Sequence, residues 1–163
     1  MRKRSKYRPK PVHLNNLERV IEAVSPISTE HASYFTDLLI KNHAAMLALT
    51  RGAATRHDMD LLIAMANIME AFRQMEICTP LANEIAAGRR ALIDIAMRAV
   101  KVSRFVATGP EIQALNTLME LHDELMPHIT GLQLDKAIDL AKKIIRRREA
   151  TVLPTANTLM EAS

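Results

Sequence analysis

The chain has 163 residues, of which 22 are Lys or Arg, 18 are Asp or Glu, and 48% are hydrophobic. This length favours one domain with a core large enough to fold alone, and the hydrophobic share excludes a wholly disordered chain. Aromatic residues make up only 3% of the sequence and there are four glycines, which argues against a turn-rich β fold. Leu, Ala, Met, Glu and Arg are strong helix formers, so the composition predicts an all-α protein.

The first ten residues, MRKRSKYRPK, carry six basic side chains and no acidic one. Without those six, the rest of the chain has 16 basic and 18 acidic residues, a net charge of −2. The basic character therefore comes from an N-terminal arm, which we assign to residues 1–12. Like charges repel one another and Pro9 and Pro11 disfavour helix, so we expect the arm to be extended and flexible.

The first predicted helix covers about 14–24, where apolar residues recur every three or four positions, and Pro26 ends it. The second begins after Ser28 or Thr29, both good N-caps, and ends near residue 50, just before Gly52. Its apolar side consists of Phe35, Leu38, Leu39, Met46 and Leu49.

The third predicted helix begins at Thr55, with Asp58 placed to complete a capping box, and runs to about Ile77. The stretch Leu61–Met69 is apolar on nearly all sides, as in a helix at the centre of a bundle or in an oligomer interface. We interpret this helix as the core of the fold.

The fourth predicted helix begins at Thr79-Pro80, a cap followed by proline, and runs to about Val106. Gly88 lies in its middle, where an interior glycine costs roughly 1 kcal/mol relative to alanine. A kink, close helix packing, or a break into two helices remain open alternatives.

The fifth predicted helix starts at Thr108-Gly109-Pro110 and ends at Pro127, and the sixth runs from about Leu132 to Glu149. We predict one compact bundle of five to seven helices over 13–149, followed by a tail at 150–163.

Two basic clusters are the strongest functional features of the sequence. Phosphate groups attract cations without regard to base sequence, and an aromatic ring between cations can stack on a base. The arm contributes Arg2, Lys3, Arg4, Lys6, Tyr7, Arg8 and Lys10. The sixth predicted helix contributes Lys136, Lys142, Lys143, Arg146 and Arg147. We interpret both as candidate DNA or RNA contacts.

Simpler explanations of both clusters stay open. The arm could be a solubilising tail, or it could dock on the acidic body, because residues 11–135 contain 10 bases and 15 acids. Cations also concentrate in the last turn of a helix, where they meet the dipole. Arg89, Arg90, Arg98, Lys101 and Arg104 could form a third basic side on the fourth helix, or a solvated face.

No catalytic or metal motif is present in the sequence. It has no Glu-x-x-His or His-Glu-x-x-His pattern, no glycine-rich phosphate loop and no Gly-x-Ser-x-Gly elbow. His122 lies on an apolar stripe, which favours a hydrogen-bonded core histidine, and Cys78 should be buried or inert. We therefore predict no enzyme activity, no metal and no cofactor.

The location of the protein is predicted from absences. A single cysteine excludes an internal disulfide and fits a reducing compartment. No apolar run reaches the roughly 20 residues that span a bilayer, and no apolar stretch follows the basic start as in a signal peptide. We expect a cytoplasmic protein without a membrane partner.

Three segments resemble a known group of proteins: the opening Arg-Lys-Arg-Ser-Lys-Tyr-Arg-Pro-Lys, the segment Ile40-Lys41-Asn42-His43, and the run from Phe105 to Glu111. Together they resemble small helical proteins of unassigned function from bacterial prophages and related mobile elements, over most of residues 1–149. The resemblance implies a bacterial, phage-linked setting and transfers no site residue.

Two functions follow from these observations. The first is a non-catalytic nucleic-acid-binding or regulatory protein of a phage or mobile element, in which the bundle could also form a homodimer. The second is an inhibitor or adaptor that binds a host protein without nucleic acid. Methionine-rich helices support the second weakly, because methionine surfaces adapt to partners.

Overall fold

The computed structural model describes residues 32–146, with side chains from Thr36 onward. This part of the chain forms five α-helices: α1 (Ala32–Thr50), α2 (Arg56–Gln74), α3 (Ala82–Val102), α4 (Gly109–Leu125) and α5 (Gly131–Arg146). Two 3-10 turns, Thr79–Leu81 and Met126–His128, precede α3 and follow α4. The predicted all-α bundle is therefore confirmed. The arm, the predicted helix at 14–24, the predicted start of the next helix near Ser28, and the tail at 150–163 lie outside the described residues.

The core of the fold is α2, which contacts each of the other four described helices. Its buried residues lie on almost every side of the helix: Met59, Leu62, Ile63, Met65, Ala66, Asn67, Met69, Glu70, Ala71 and Phe72. Truncating one of the large apolar ones to alanine typically costs about 2–5 kcal/mol, because a cavity remains. The prediction of a central core helix is confirmed.

Local signals set the junction between α1 and α2. Gly52 has a φ of 68°, and its N–H donates to the Leu49 carbonyl at 3.0 Å, so it ends α1 in the left-handed conformation that glycine tolerates. The Thr55 N–H donates to Asp58 Oδ2 at 2.7 Å, and the Asp58 N–H donates to Thr55 Oγ1 at 3.3 Å. This reciprocal capping box begins α2 as predicted.

The predicted end of this helix near Ile77 is wrong by three residues, because α2 ends at Gln74. Glu76 has a φ of 62°, and the Ile77 N–H reaches back to the Phe72 carbonyl at 3.0 Å. The chain thus makes a Schellman turn with glutamate where glycine is usual. The sequence contains no glycine that could have marked this turn.

Both boundaries of the helix predicted at 80–106 are also corrected. Thr79, the predicted cap, lies inside the 3-10 turn, and the α-helix begins at Ala82. At the other end Ser103 has a φ of 56° and its N–H donates to the Ala99 carbonyl at 2.8 Å. The helix therefore ends at Val102.

Gly88 allows α3 and α4 to pack closely. The helix runs unbroken through this position, so a break into two helices is wrong. A Cβ placed on Gly88 would lie 2.6 Å from Cδ2 and 2.9 Å from Cβ of Leu118 on α4, closer than carbon atoms approach. The absence of a side chain at Gly88 therefore allows the two helices to cross closely. Of the alternatives that the sequence left open at Gly88, the structure supports close helix packing.

An ion pair joins the end of α3 to the start of α4. Arg98 Nη1 and Nη2 donate to Glu111 Oε2 and Oε1 at 2.9 and 2.6 Å, and Arg98 also donates to the Val106 carbonyl. The Thr108 N–H donates to Glu111 Oε2 at 2.7 Å. The Arg98 hydrogen bonds lower the pKa of Glu111 despite its partial burial. This bidentate pair fixes the loop between the two helices.

The Gly88 contact predicts that Gly88→Ala lowers the free energy of unfolding by about 1–3 kcal/mol, because the added methyl group displaces Leu118. Gly109→Ala is the matched control, since a Cβ there would meet no atom within 4 Å. Chemical denaturation of both variants measures the difference. A Gly88→Ala protein as stable as the wild type would contradict the close crossing.

The Glu111 pair predicts a specific pH dependence of stability. The pKa of Glu111 is lower in the folded protein than in the unfolded chain, so its contribution is complete above the unfolded pKa and is lost as pH falls through the folded pKa. Unfolding free energies between about pH 7 and pH 3 should therefore fall more steeply in the wild type than in Glu111→Gln, and the two curves should converge in acid. The exposed Glu120→Gln is the control that keeps the wild-type slope. Equal slopes for wild type and Glu111→Gln would refute the pairing.

Candidate nucleic-acid interface

The two sides of α5 differ in character. The Thr130 N–H donates to Gln133 Oε1 at 2.9 Å and the Gln133 N–H donates to Thr130 Oγ1 at 3.3 Å, a capping box that starts the helix at Gly131, one residue before the predicted Leu132. Ala137, Ala141 and Ile144 are buried, and the helix packs on α2. The opposite side is left to solvent, and it carries the predicted cations.

Four of the predicted contacts lie on this exposed side: Lys136, Lys142, Lys143 and Arg146. Lys136 and Lys143 are two helical turns apart on one face, and the other two lie beside them. Within residues 32–146, no acidic side chain lies within ion-pair distance of Lys136, Lys143 or Arg146. Arg147 lies outside the described residues, as do Arg2, Lys3, Arg4, Lys6, Tyr7, Arg8 and Lys10 of the arm.

Two aspartates lower the net positive charge of the exposed side of α5, and the basic residues alone did not indicate this. Asp139 Oδ1 lies 3.6 Å from Lys142 Nζ, and both side chains are more than half exposed. Asp135 is exposed as well. The described face thus holds four bases and two acids, a net charge of +2. Exposed ion pairs contribute little to stability, so a phosphate can displace Asp139 from Lys142 at small cost.

The five basic residues of the fourth predicted helix differ in their surroundings. Arg89 Nη1 lies 3.4 Å from Glu70 Oε2, Arg90 Nε lies 3.2 Å from Asp94 Oδ1, and Arg98 pairs with Glu111 as described above. Arg89 and Arg98 therefore serve the fold, whereas the Arg90 pair lies on the surface and contributes little to stability. Within residues 32–146, Lys101 and Arg104 are the exposed members of the five that no ion pair occupies.

Glu70 shows why arginines are needed inside this fold. Its carboxylate is buried on α2 and accepts hydrogen bonds from Arg73 Nε and Nη2 at 2.9 and 2.7 Å, and from Gln74 Nε2 at 2.9 Å. The Arg73 hydrogen bonds lower the pKa of Glu70, although burial opposes them. The carboxylate therefore stays ionised and paired, a structural arrangement with no free nucleophile or acid.

Cys78 lies beside this network and is 3% exposed, with Sγ 3.8 Å from the Met69 carbonyl oxygen. Burial raises the pKa of its thiol, which makes the nucleophilic thiolate scarce at neutral pH. The predicted buried cysteine is confirmed.

Asp123 connects two histidines. Its Oδ2 lies 2.8 Å from His43 Nε2, and its Oδ1 lies 3.2 Å from His122 Nδ1. His122 is 3% exposed, and burial lowers its pKa against the opposing effect of Asp123, so the predicted hydrogen-bonded core histidine is confirmed. His43 is 80 residues away in sequence, on α1, and no local pattern could have predicted its contact with Asp123. In the described part of the chain, no group of three or more His, Cys, Asp or Glu side chains could hold a metal ion.

A groove of about 480 Å³ lies between the start of α2 and the end of α3. Arg56 and Arg104 are the charged residues on its walls, and the remaining lining is Ala54, Thr55, Ala96, Ala99, Val100, Ser103 and Phe105. Arg56 Nε is paired with Asp60 Oδ1 at 3.2 Å. Arg104 has no acidic partner among residues 32–146, and the rest of the groove is lined by small and largely apolar residues.

Comparison of the chain with protein-family models, curated proteins and solved structures gives no match. The resemblance to prophage proteins therefore stays a prediction. Among the helices of residues 32–146, none is long and apolar enough to cross a membrane.

Proposed function

We propose that the protein is a non-catalytic nucleic-acid-binding or regulatory protein, acting in a phage or mobile element, which contacts phosphates through its N-terminal arm and α5. The supporting observation is which basic side chains of residues 32–146 have acidic partners and which do not. Residues 32–146 contain 13 basic and 13 acidic side chains, so this part of the chain has no excess charge of its own.

Within that balanced part, the arginines of α2 and α3 are engaged by acids of the fold. Arg73 and Arg89 neutralise buried Glu70, and Arg98 holds Glu111. On α5, in contrast, Lys136, Lys143 and Arg146 are exposed, and no acid of residues 32–146 lies within ion-pair distance of them. Cations that no internal acid engages are the ones that a polyanion can use.

The arm supplies the larger share of the charge. Its six cations would contact successive phosphates, and Tyr7 would stack on a base or sugar. Such contacts release counterions and carry little sequence information, so binding should be sensitive to salt and tolerant of sequence. With a net charge of +2, the α5 face adds to that binding and is too weak to replace it.

One observation favours the alternative, an inhibitor or adaptor that binds a host protein without nucleic acid. Ile93, Met97 and Val100 on α3 are exposed although they are apolar. Apolar patches on a surface mark protein contacts more often than nucleic-acid contacts. A pull-down from host lysate that enriches one protein, unchanged by nuclease, is the outcome expected of this alternative.

The proposal predicts that deletion of residues 2–10 lowers affinity for single-stranded DNA or RNA at least roughly tenfold at low salt, because six phosphate contacts are lost. Lys136→Gln/Lys143→Gln should weaken binding less and should reduce the slope of log K against log salt by about 1–2. Fluorescence anisotropy at several salt concentrations measures both effects.

The matched control is Lys41→Gln/Arg51→Gln, which removes two exposed cations. Lys41 lies within α1, and Arg51 directly follows its last residue. We expect it to bind as the wild type does. Absent binding by the full chain, or equal binding with and without residues 2–10, would contradict the proposal. An equal loss in the control would show that α5 has no special part in binding.

A further inference from the structure

The outer face of α3 carries an apolar stripe, which we define as Ile93, Met97 and Val100. Their side chains are 38%, 43% and 45% exposed. The spacing of four and then three residues continues N-terminally to Arg90, and the helix ends at Val102, two residues beyond Val100. Alternation of three and four residues is the repeat with which one helix packs along another.

None of the three stripe residues is among the buried residues of the described bundle. The buried residues of α3 are Ile85, Gly88, Ala91, Leu92, Ile95 and Ala96, on the side that meets α2 and α4. Helix α3 therefore has two apolar faces, one used inside the fold and one directed outward. A second apolar face with helix-packing spacing fits a partner helix.

The charged residues beside the stripe indicate that the partner helix is α3 of a second copy. Asp94 and Lys101 each follow a stripe residue directly, so they lie on the same flank, seven residues apart. Two copies of α3 that cross antiparallel at Met97 place Asp94 of each copy opposite Lys101 of the other. In a parallel pair the opposite charges would be displaced by about 10 Å along the axis. The flank is thus complementary to itself in one orientation.

We propose that the α3 stripe is the interface of an antiparallel homodimer, in which Ile93, Met97 and Val100 of two copies pack together and Asp94 pairs with Lys101 of the second copy in both directions. This inference stands apart from nucleic-acid binding and does not rest on it. Asp94 also pairs with Arg90 of its own helix at 3.2 Å, so it would lie between two cations.

The ends of the stripe suit this arrangement. Arg90 and Arg104 are exposed and can lay their aliphatic stems along the partner while their charges stay in water. At the Arg104 end, the groove beside Val100 leaves room for a side chain from the second copy. The apolar stripe is only about 10 Å long, short of what a standard interface of roughly 1,200–2,000 Å² needs. The dimer is therefore weak and depends on concentration.

Sedimentation equilibrium of the full chain tests the proposal. The apparent mass should rise from 18.3 kDa at low micromolar concentration toward twice that value at several hundred micromolar. Met97→Glu should hold the mass at that of the monomer, because it places a charge in the apolar seam. The control is Leu47→Glu, which changes a side chain of similar exposure on α1 and should dimerise as the wild type does.

Charge-swap variants test the orientation of the pair. Asp94→Lys and Lys101→Glu should each be monomeric, since each places like charges opposite one another across the seam. An equimolar mixture of the two should form a heterodimer. Both flank positions are basic in the first variant and acidic in the second, so every base then faces an acid across the seam.

Four results would overturn the proposal. A wild-type chain that stays monomeric throughout would show that no second copy occupies the stripe, as would a Met97→Glu variant that dimerises normally. Loss of dimerisation by Leu47→Glu would place the interface elsewhere. A mixture of the two charge-swap variants that remains monomeric would exclude the antiparallel arrangement.

Discussion

The burial of α2 on nearly every side is the constraint on which the rest of the structure depends. A helix enclosed by four others has almost no face on which a charge can reach water, yet α2 carries Glu70 there. A buried carboxylate is tolerated only when charge and hydrogen bonds compensate the loss of water. The compensating charge and hydrogen bonds come from Arg73, Gln74 and Arg89. Burial of Glu70 on α2 therefore requires these three side chains to lie beside it.

This constraint also shapes the outer surface. Buried Glu70 and partly buried Glu111 engage Arg73, Arg89 and Arg98. Residues 32–146 contain equal numbers of bases and acids. Lys136, Lys143 and Arg146 of α5 then form a group on one helix face that no acid of residues 32–146 engages. The arm adds six basic residues to the sequence. If α3 pairs two copies, each assembly carries two arms and two α5 faces, and contacts that are weak singly gain by acting together on one polyanion.

Local patterns predicted the five described helices and most of their boundaries, because caps and left-handed glycines act within a few residues, as at Gly52 and Thr55. Two missed ends lie at Glu76 and Ser103, where other residues adopt the left-handed conformation that glycine usually supplies. The third missed boundary is the start of α3, where a 3-10 turn precedes Ala82. The candidate site was predicted only in part. Exposure of the α5 cations follows from helical spacing, but the contacts of Arg89, Arg98 and His43 join residues distant in sequence and depend on how the helices pack.

The central claim is that the arm and α5 contact the same polyanion, and paramagnetic relaxation tests it most directly. A nitroxide on Ser5→Cys, in a Cys78→Ala background that removes the one native thiol, reports which amides the arm approaches while a single-stranded oligonucleotide is bound. If the arm and α5 contact one oligonucleotide, amide signals of 136–146 on α5 lose intensity in the complex and those of the α2 core do not. Full intensity along α5, at an oligonucleotide concentration that saturates the protein, would contradict the account.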